Sequence, residues 1–384
     1  MLVALAIMLA LPVSVLLVQV LAAITLPKSK YTLQLSSTRP SVAILIPAHN
    51  ESVVIAKTIQ TILPQLSAQD QLLVVADNCT DDTAVIARNL GAEVIERFNT
   101  VQRGKGYALD YGIQHLKINP PQVVMIVDAD CSISDQFIQV LAMSCVQLKR
   151  PVQALDLMLS PASPSLKMRV AEFAWLVKNK VRPLGFKALG LPCQLMGTGM
   201  AFLWNDITQM SLANNHIAED MKLGIEFCRA KNAPLFIPDV LITSQFPQSV
   251  QAGNTQRARW EHGHLGMILS EAPSLLLEAI KTRNLQMFCL ACDLIVPPLA
   301  VLALMCLVVF ALSLFSSSSL ALLLSTTLLI ALTVAVVLAW LYFGRKIISF
   351  KQLCYAPIYM LIKIPLYIKF FFNRQVDWVR SKRD

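Results

Sequence analysis

The chain has 384 residues, of which 55% are hydrophobic and only 15% charged, and its mean hydropathy is +0.57. That composition excludes an ordinary soluble protein, while the length allows one large domain plus a few membrane spans. The formal charge of +9 does not point to nucleic acid, because the excess basic residues stand beside hydrophobic segments: Lys28, Lys30 and Arg39, then Arg345, Lys346 and Lys351, then Arg374, Arg380, Lys382 and Arg383. Basic flanks of this kind suit the anionic lipids of a membrane surface.

Residues 1–27 are almost wholly apolar and carry no charged side chain. At about 1.5 Å per residue they can cross a hydrocarbon core of about 30 Å. A signal peptide would carry basic residues before its apolar run, and here they follow it, so a retained anchor with its C-terminal side in the cytoplasm is expected. Beyond it, β-rich runs at 42–46, 71–76, 92–96 and 122–127 alternate with helical patterns, which predicts a buried parallel sheet. Ligands bind beyond the carboxyl ends of the strands in such sheets. Three motifs fall there: PAHNE at 47–51, DNCTDDT at 77–83 and DAD at 128–130. Pieces far apart in the chain are therefore expected to converge on one crevice.

The DAD motif places Asp128 and Asp130 at a strand end, where two carboxylates repel unless a cation or proton lies between them. Their hard oxygens favour Mg2+ or Mn2+. Asp77 closes the second run, whereas Asp81 is accounted for as a helix cap. In RGKGYALDYG, at 103–112, Arg103 and Lys105 stand beside glycines ahead of a helical pattern; this is equally a diphosphate contact or an ordinary helix start. GTGMAF follows at 197–202, and AED at 218–220 opens another helical pattern, where Glu219 and Asp220 could do no more than complement the helix dipole. QRARW, at 256–260, sets Arg257, Arg259 and Trp260 on a segment that cannot hide all three. Arginine forks bind diphosphates and an indole offers a flat face to a sugar ring, although an interfacial helix uses the same residues as anchors. His49, His262 and His264 receive no role.

Two more apolar runs, 285–315 and 320–343, flank the serine tract 316–319, and so short a connection predicts an antiparallel hairpin. Asp293 would cost about 2.5–3.5 kcal/mol at bilayer depth, so 285–297 is expected in the interface with the span beginning near Pro298. The last apolar stretch, 353–372, contains Pro357, Lys363, Pro365 and Lys369 and reads as an interfacial helix with snorkelling lysines, followed by a cytoplasmic tail. The nine cysteines form no disulfide-like framework. Cys289 and Cys292 make a CxxC without a second pair, and this too reads as packing.

PAHNE, DNCTDDT, DAD, AED and QRARW stand in an order that makes residues 42–264 resemble the membrane-bound family 2 glycosyltransferases, which include cellulose, chitin and hyaluronan synthases and bacterial exopolysaccharide transferases. The resemblance implies an α/β fold of the GT-A type, a nucleotide-sugar-binding domain over 40–270. Around it stand the anchor (1–27), two transmembrane helices (285–343) and the interfacial helix with its basic tail (353–384). It implies that Pro47, Glu51, Asp77, Asp128 and Arg259 bind the donor, with Glu51 and Asp77 at the base and Arg259 at the diphosphate; Lys105 joins them from its loop. It also implies that Asp130 coordinates Mg2+ or Mn2+ bridging the diphosphate, with Asp128 nearer the ribose or metal. Gly197, Thr198, Gly199, Gln256, Arg257 and Trp260 would face the acceptor, and Asp220 would be the general base.

The expected activity is inverting transfer of a sugar from a nucleotide-diphosphate donor, a UDP-sugar in the first instance, to a glycan or lipid-linked acceptor at the inner membrane, in exopolysaccharide or cell-envelope glycan synthesis. Membrane lipids are expected partners and nucleic acid is not. Three crossings are few for a polysaccharide channel, which calls for a partner subunit or homo-oligomer. Single transfer to a polyprenyl phosphate or glycolipid, or a non-catalytic nucleotide-sugar-binding subunit, are the alternatives; transport lacks an internal repeat.

Overall fold

The computed structural model describes residues 1–26, 39–247, 249–362, 364, 366–367 and 370. The aliphatic runs between residues 42 and 245 build one eight-stranded sheet. Its strands are β1 (Val42–Ala48), β2 (Gln71–Asp77), β3 (Glu93–Arg97), β4 (Val123–Ile126), β5 (Ser132–Ile133), β6 (Val152–Leu159), β7 (Met200–Leu203) and β8 (Leu235–Gln245), in the spatial order β3-β2-β1-β4-β7-β6-β8-β5. β1 lies between β2 and β4 and is parallel to both. It is buried on each face, which is why its sequence is continuously apolar rather than alternating. Val42, Ile44 and Ile46 belong to a core shared with Ile55, Ile59 and Ile62 of the helix Ile55–Ile62 and with Phe137. Ala43 and Leu45 face the other core, with Leu109, Ile113 and Leu116 of the helix Lys105–Leu116.

All four runs read from the sequence are strands, but the sheet is mixed, not wholly parallel. β7 runs antiparallel to β4 and β6, and β5 antiparallel to β8. These elements are two to four residues long, too short for periodicity to mark. The reversal at β7 positions the site. The Gly199 amide donates to Ile126 O at 2.9 Å, and the Asp128 amide donates to Thr198 Oγ1 at 3.0 Å, so the turn before β7 is tied to the turn after β4. Gly199 has φ +66°, and a Cβ there would stand 2.8 Å from Ile242 Cγ2 and 3.2 Å from Ala154 Cβ. Only glycine satisfies both the conformation and the space.

The described residues divide into two compact units, one of 39–161 and 193–259, which holds the sheet, and one of 1–26, 162–192 and 260–370. Residues 162–192 therefore group with the apolar helices, although the sequence reading set them inside a 40–270 domain. The reason is close packing: a Cβ on Gly185, in the helix Arg182–Ala188, would lie 2.0 Å from Gln19 O. The helix Leu2–Thr25 turns Ala6, Leu9, Val13, Leu16 and Val20 inward at helical spacing and leaves Ile7, Met8, Leu11 and Val18 exposed.

Leu2–Thr25 and Ser319–Gly344 are long and apolar enough to cross a membrane, and Leu285–Ile295 with Leu299–Leu314 makes a third candidate bent by 72°. The break falls at Pro297 and Pro298, which lack the amide hydrogens a continuous helix needs. Asp293 is accommodated by partners that the sequence reading did not find. Arg182 Nη2 donates to Asp293 Oδ1 at 2.7 Å and to Asp293 O at 2.6 Å. Gln19 Nε2 donates to Asp293 Oδ1 at 2.6 Å, and Gln19 Oε1 accepts from Arg182 Nε at 3.2 Å. All three side chains are buried.

Each of the nine cysteines is a free thiol. The expected interfacial segment begins as the helices Phe350–Cys354 and Ala356–Ile362. Pro27, Lys28, Lys30, Lys363, Pro365, Lys369 and the tail 371–384, with Arg374, Arg380, Lys382 and Arg383, lie outside the described residues.

Candidate active site

Asn50 and Asn78 adopt positive φ, 56° and 52°, and turn the chain sharply off β1 and β2; asparagine tolerates this better than most residues. The two turns are stitched together. The Thr80 amide donates to Asn50 Oδ1 at 2.6 Å, the Glu51 amide to Thr83 Oγ1 at 2.8 Å, and the Ser52 amide to Asp81 Oδ2 at 3.2 Å. Asp81 Oδ1 also accepts from the Thr83 amide at 3.1 Å; the N-cap of the helix Thr83–Asn89 is the next residue, Asp82, so Asp81 is not the expected cap but holds PAHNE against DNCTDDT.

Asp77 ends β2 as a buried carboxylate. Its Oδ1 accepts from Arg97 Nη1 at 2.7 Å and Asn78 Nδ2 at 3.0 Å. Lys105 opens its helix after Gly104, whose φ is +125°. A Cβ on the next residue, Gly106, would come within 2.5 Å of Leu212 O, so glycine lets this helix approach the loop ahead of the acid pair. Lys105 Nζ lies 2.5 Å from Asp128 Oδ1 and 3.9 Å from Glu219 Oε1, and donates to Gly197 O at 2.8 Å. Burial alone would lower the Lys105 pKa, but Asp128 and Glu219 hold it above the ordinary lysine value. Burial, reinforced by the Asp220 charge, pushes Glu219 up to about 7 against the pull of Lys105. Burial also lowers Arg259, although Glu219, Asp128, Glu51 and Asp220 all favour its charge.

Pro47, Glu51, Asp77, Lys105, Asp128, Asp130 and Arg259 line one cavity of about 670 Å³, within the usual range for small-molecule sites. The structure thus brings together every residue assigned to the donor and the metal. Arg103, His49, Asn78, Phe98 and Thr100 line it too. Phe98 and Thr100 were missed, as was Arg97; all follow or end β3, and the strand-end rule applied to the run at 92–96 would have found them.

Asp220 sits in the first turn of the helix Glu219–Arg229 and lines a small separate recess with Glu219, Gly106, Leu212 and Asn214. Gly197 joins it to the cavity: a Cβ there would be 3.4 Å from Asp220 Oδ2 and 3.6 Å from Lys105 Nζ. Thr198 is buried and holds the Asp128 turn, Gly199 is packed under Ile242, and Gln256 is buried. Arg257 lies beside Gly253 on the helix Val250–Ser270. Trp260, in the other unit, has its ring centroid 4.7 Å from that of Trp175 at 46°, and Lys178 Nζ stands 5.3 Å from the Trp175 centroid. Trp175 gave no motif signal. His262 Nε2 and His264 Nε2 each lie 3.1 Å from a backbone oxygen, of Leu366 and Leu294, so both tie their helix to its neighbours.

Among the described residues no group of three or more His, Cys, Asp or Glu could hold a metal ion. Two carboxylates facing a cavity still fit Mg2+ or Mn2+, since such ions are commonly held by one or two carboxylates completed by substrate phosphates. A cavity at the carboxyl ends of parallel strands, lined by a carboxylate pair, lysine and arginine, fits the GT-A type of fold. The chain belongs to glycosyltransferase family 2, since residues 40–263 match the model described as glycosyltransferase like family 2, more than half of the sequence. It is 24% identical over 245 residues to the probable glycosyltransferase YdaM of Bacillus subtilis (strain 168), a match over 60% of this chain and 56% of that relative. The chain thus matches little more than half of the relative's length.

The solved structure of the mannosyltransferase PcManGT from Pyrobaculum calidifontis, in complex with GDP-Man and Mn2+, matches 98% of this chain and 100% of its own, with a TM-score of 0.60 at 15% identity. Glucosyl-3-phosphoglycerate synthase from Mycobacterium tuberculosis, in complex with Mn2+, UDP and glucosyl-3-phosphoglycerate, matches 63% of this chain and 86% of its own, with a TM-score of 0.39 at 18% identity.

Proposed function

We propose that this protein is an inverting glycosyltransferase that moves a sugar from a nucleotide-diphosphate donor to a membrane-associated acceptor, in exopolysaccharide or cell-envelope glycan synthesis. The observation that carries the reading is the convergence of the donor-side residues on one cavity that reaches the acid pair through Lys105 and Gly197. Glu51 and Asp77 would hold the base of the nucleotide, and Arg259 and Lys105 the diphosphate. Arg259 would stabilise the charge that grows on the leaving group without reorganising, and Lys105 would join it once the donor is bound. Asp220 would take the proton of the acceptor hydroxyl as its oxygen attacks the anomeric carbon from the face opposite the diphosphate. Asp130, with Asp128, would hold the Mg2+ or Mn2+ that supplies Lewis-acid stabilisation to the departing diphosphate.

Trp260 and Arg257 would support the acceptor. Residues 40–270 would act in the cytoplasm, with 1–27 and 285–343 in the inner membrane and 353–384 on its cytoplasmic face, as the basic flanks require.

Single transfer to a lipid is the second reading. It is favoured by the span count, two or at most three among the described residues, which leaves polymer export to a partner subunit or homo-oligomer. The test is to incubate membranes containing the protein with UDP- and GDP-sugars and Mn2+ or Mg2+, with a chelator control. A high-molecular-weight product supports polymerisation and a small lipid-extractable one supports single transfer. Nucleotide-sugar binding without transfer from any donor would leave a binding subunit.

A further inference from the structure

The Lys105 ammonium stands where the donor half of the site meets the acid pair. Its three protons have Asp128 Oδ1 at 2.5 Å and Gly197 O at 2.8 Å as partners, with Glu219 Oε1 further off at 3.9 Å. The lysine side chain is 17% exposed, so water competes little for these contacts. One of the two carboxylates assigned to the divalent ion therefore already carries a cation.

Resting on the reading of Asp128 and Asp130 as the metal-side carboxylates, we propose that Lys105 is an internal competitor of the metal: it occupies Asp128 until a nucleoside diphosphate gives the ammonium a new partner and frees that carboxylate for the ion. A dication approaching Asp128 in the absence of nucleotide meets a fixed positive charge on the same oxygen. When the diphosphate enters beside Arg259, its oxygens offer the ammonium an acceptor within the same cavity, and Asp128 can turn to the ion. Metal and nucleotide then bind as a unit. Lys105 thereby acts as a positioning residue that stops the ion from settling in a site where no leaving group awaits it.

The proposal is tested by Mn2+ binding to the full-length protein in detergent, followed through the resonance of free aqueous Mn2+, with and without UDP or GDP. In the wild type, one of these nucleotides should tighten Mn2+ by a factor within about 5 to 150, and Mn2+ should tighten that nucleotide by the same factor, because coupling between two ligands is reciprocal. In Lys105→Met, nucleotide-free Mn2+ binding should strengthen by about ten-fold and the coupling should shrink accordingly. Lys105→Gln provides the same neutralisation should the methionine variant not fold, and Lys105→Arg should retain the wild-type pattern. A lysine that merely contacts the diphosphate would lower nucleotide affinity and leave nucleotide-free Mn2+ binding untouched. Unchanged or weaker Mn2+ binding in the neutral variants, with nucleotide still tightening the ion, overturns the competitor role while the donor site stands. Absence of Mn2+ binding in every variant, with either nucleotide, removes the metal-side reading and this inference with it.

Discussion

At the scale of single residues, chemistry and binding should separate cleanly. Asp220→Asn is expected to leave nucleotide-sugar affinity nearly unchanged while turnover falls by roughly 10² or more, whereas Arg259→Ala should damage both; binding by calorimetry and turnover by product release check the pair. Glu219 gives a pH-dependent outcome. Its folded value of about 7 lies above the ordinary 4.5, so the folded chain keeps a proton that the unfolded chain releases. Stability should therefore fall as the pH rises from about 4.5 to 7, and the full cost stands above that window. Glu219→Gln, which mimics the protonated form, should melt higher than the wild type at pH 8 and show no such advantage near pH 4.5. The residues that line the cavity could be singled out from the sequence because polar motifs directly after apolar strands have few structural explanations. Arg97 and Trp175 were not, because one arginine ending a strand and one tryptophan in a helix look like ordinary surface and core.

Among the elements, β1, β2 and β4 were legible because burial on both faces leaves an uninterrupted apolar run, and the edge strand β3 by its β-branched pair Val94 and Ile95, while β5 and β7 were too short to show a period. The glycine turn before β7 was read as part of an acceptor pocket. Its backbone also ties β4 to β7, and Gly199→Ala should cost about 1–3 kcal/mol by overpacking against Ile242 and Ala154. The buried cluster of Gln19, Arg182 and Asp293 should prove costlier to break. Asp293→Ala leaves Arg182 buried without its carboxylate, and loss of one partner from such a pair costs about 3–5 kcal/mol. Thermal unfolding in detergent measures both variants, and Asp293→Asn should recover part of the loss by keeping the Gln19 contact.

For the molecule as a whole, hydropathy and the order of the motifs made the combination of a nucleotide-sugar head and apolar helices legible. Residues 162–192 have the mixed composition of a soluble segment, yet they group with the apolar helices, through the close approach at Gly185, the Arg182 contacts and the Arg169 bond to Ile347 O. The charge distribution carries an expectation about topology. A reporter fused after Asp384 should be active in the cytoplasm, since the basic tail and the basic residues after the first helix favour the same side; periplasmic activity would mean that 353–372 crosses the membrane.

The Gln19 and Asp293 contact also imposes an order of events during synthesis. Its partners are 274 positions apart in the chain, so at roughly 5–20 residues per second the amide emerges on the order of 14–55 s before the acid that it binds. Throughout that interval the inward amide of the first helix lacks its carboxylate partner. Nascent chains arrested just before Asp293 should therefore crosslink from position 19 to insertion factors, and chains extended past the Ser319–Gly344 helix should not. Residues 42–245, which form the sheet, are made within this interval, so the sheet can be complete before the last apolar helix is made.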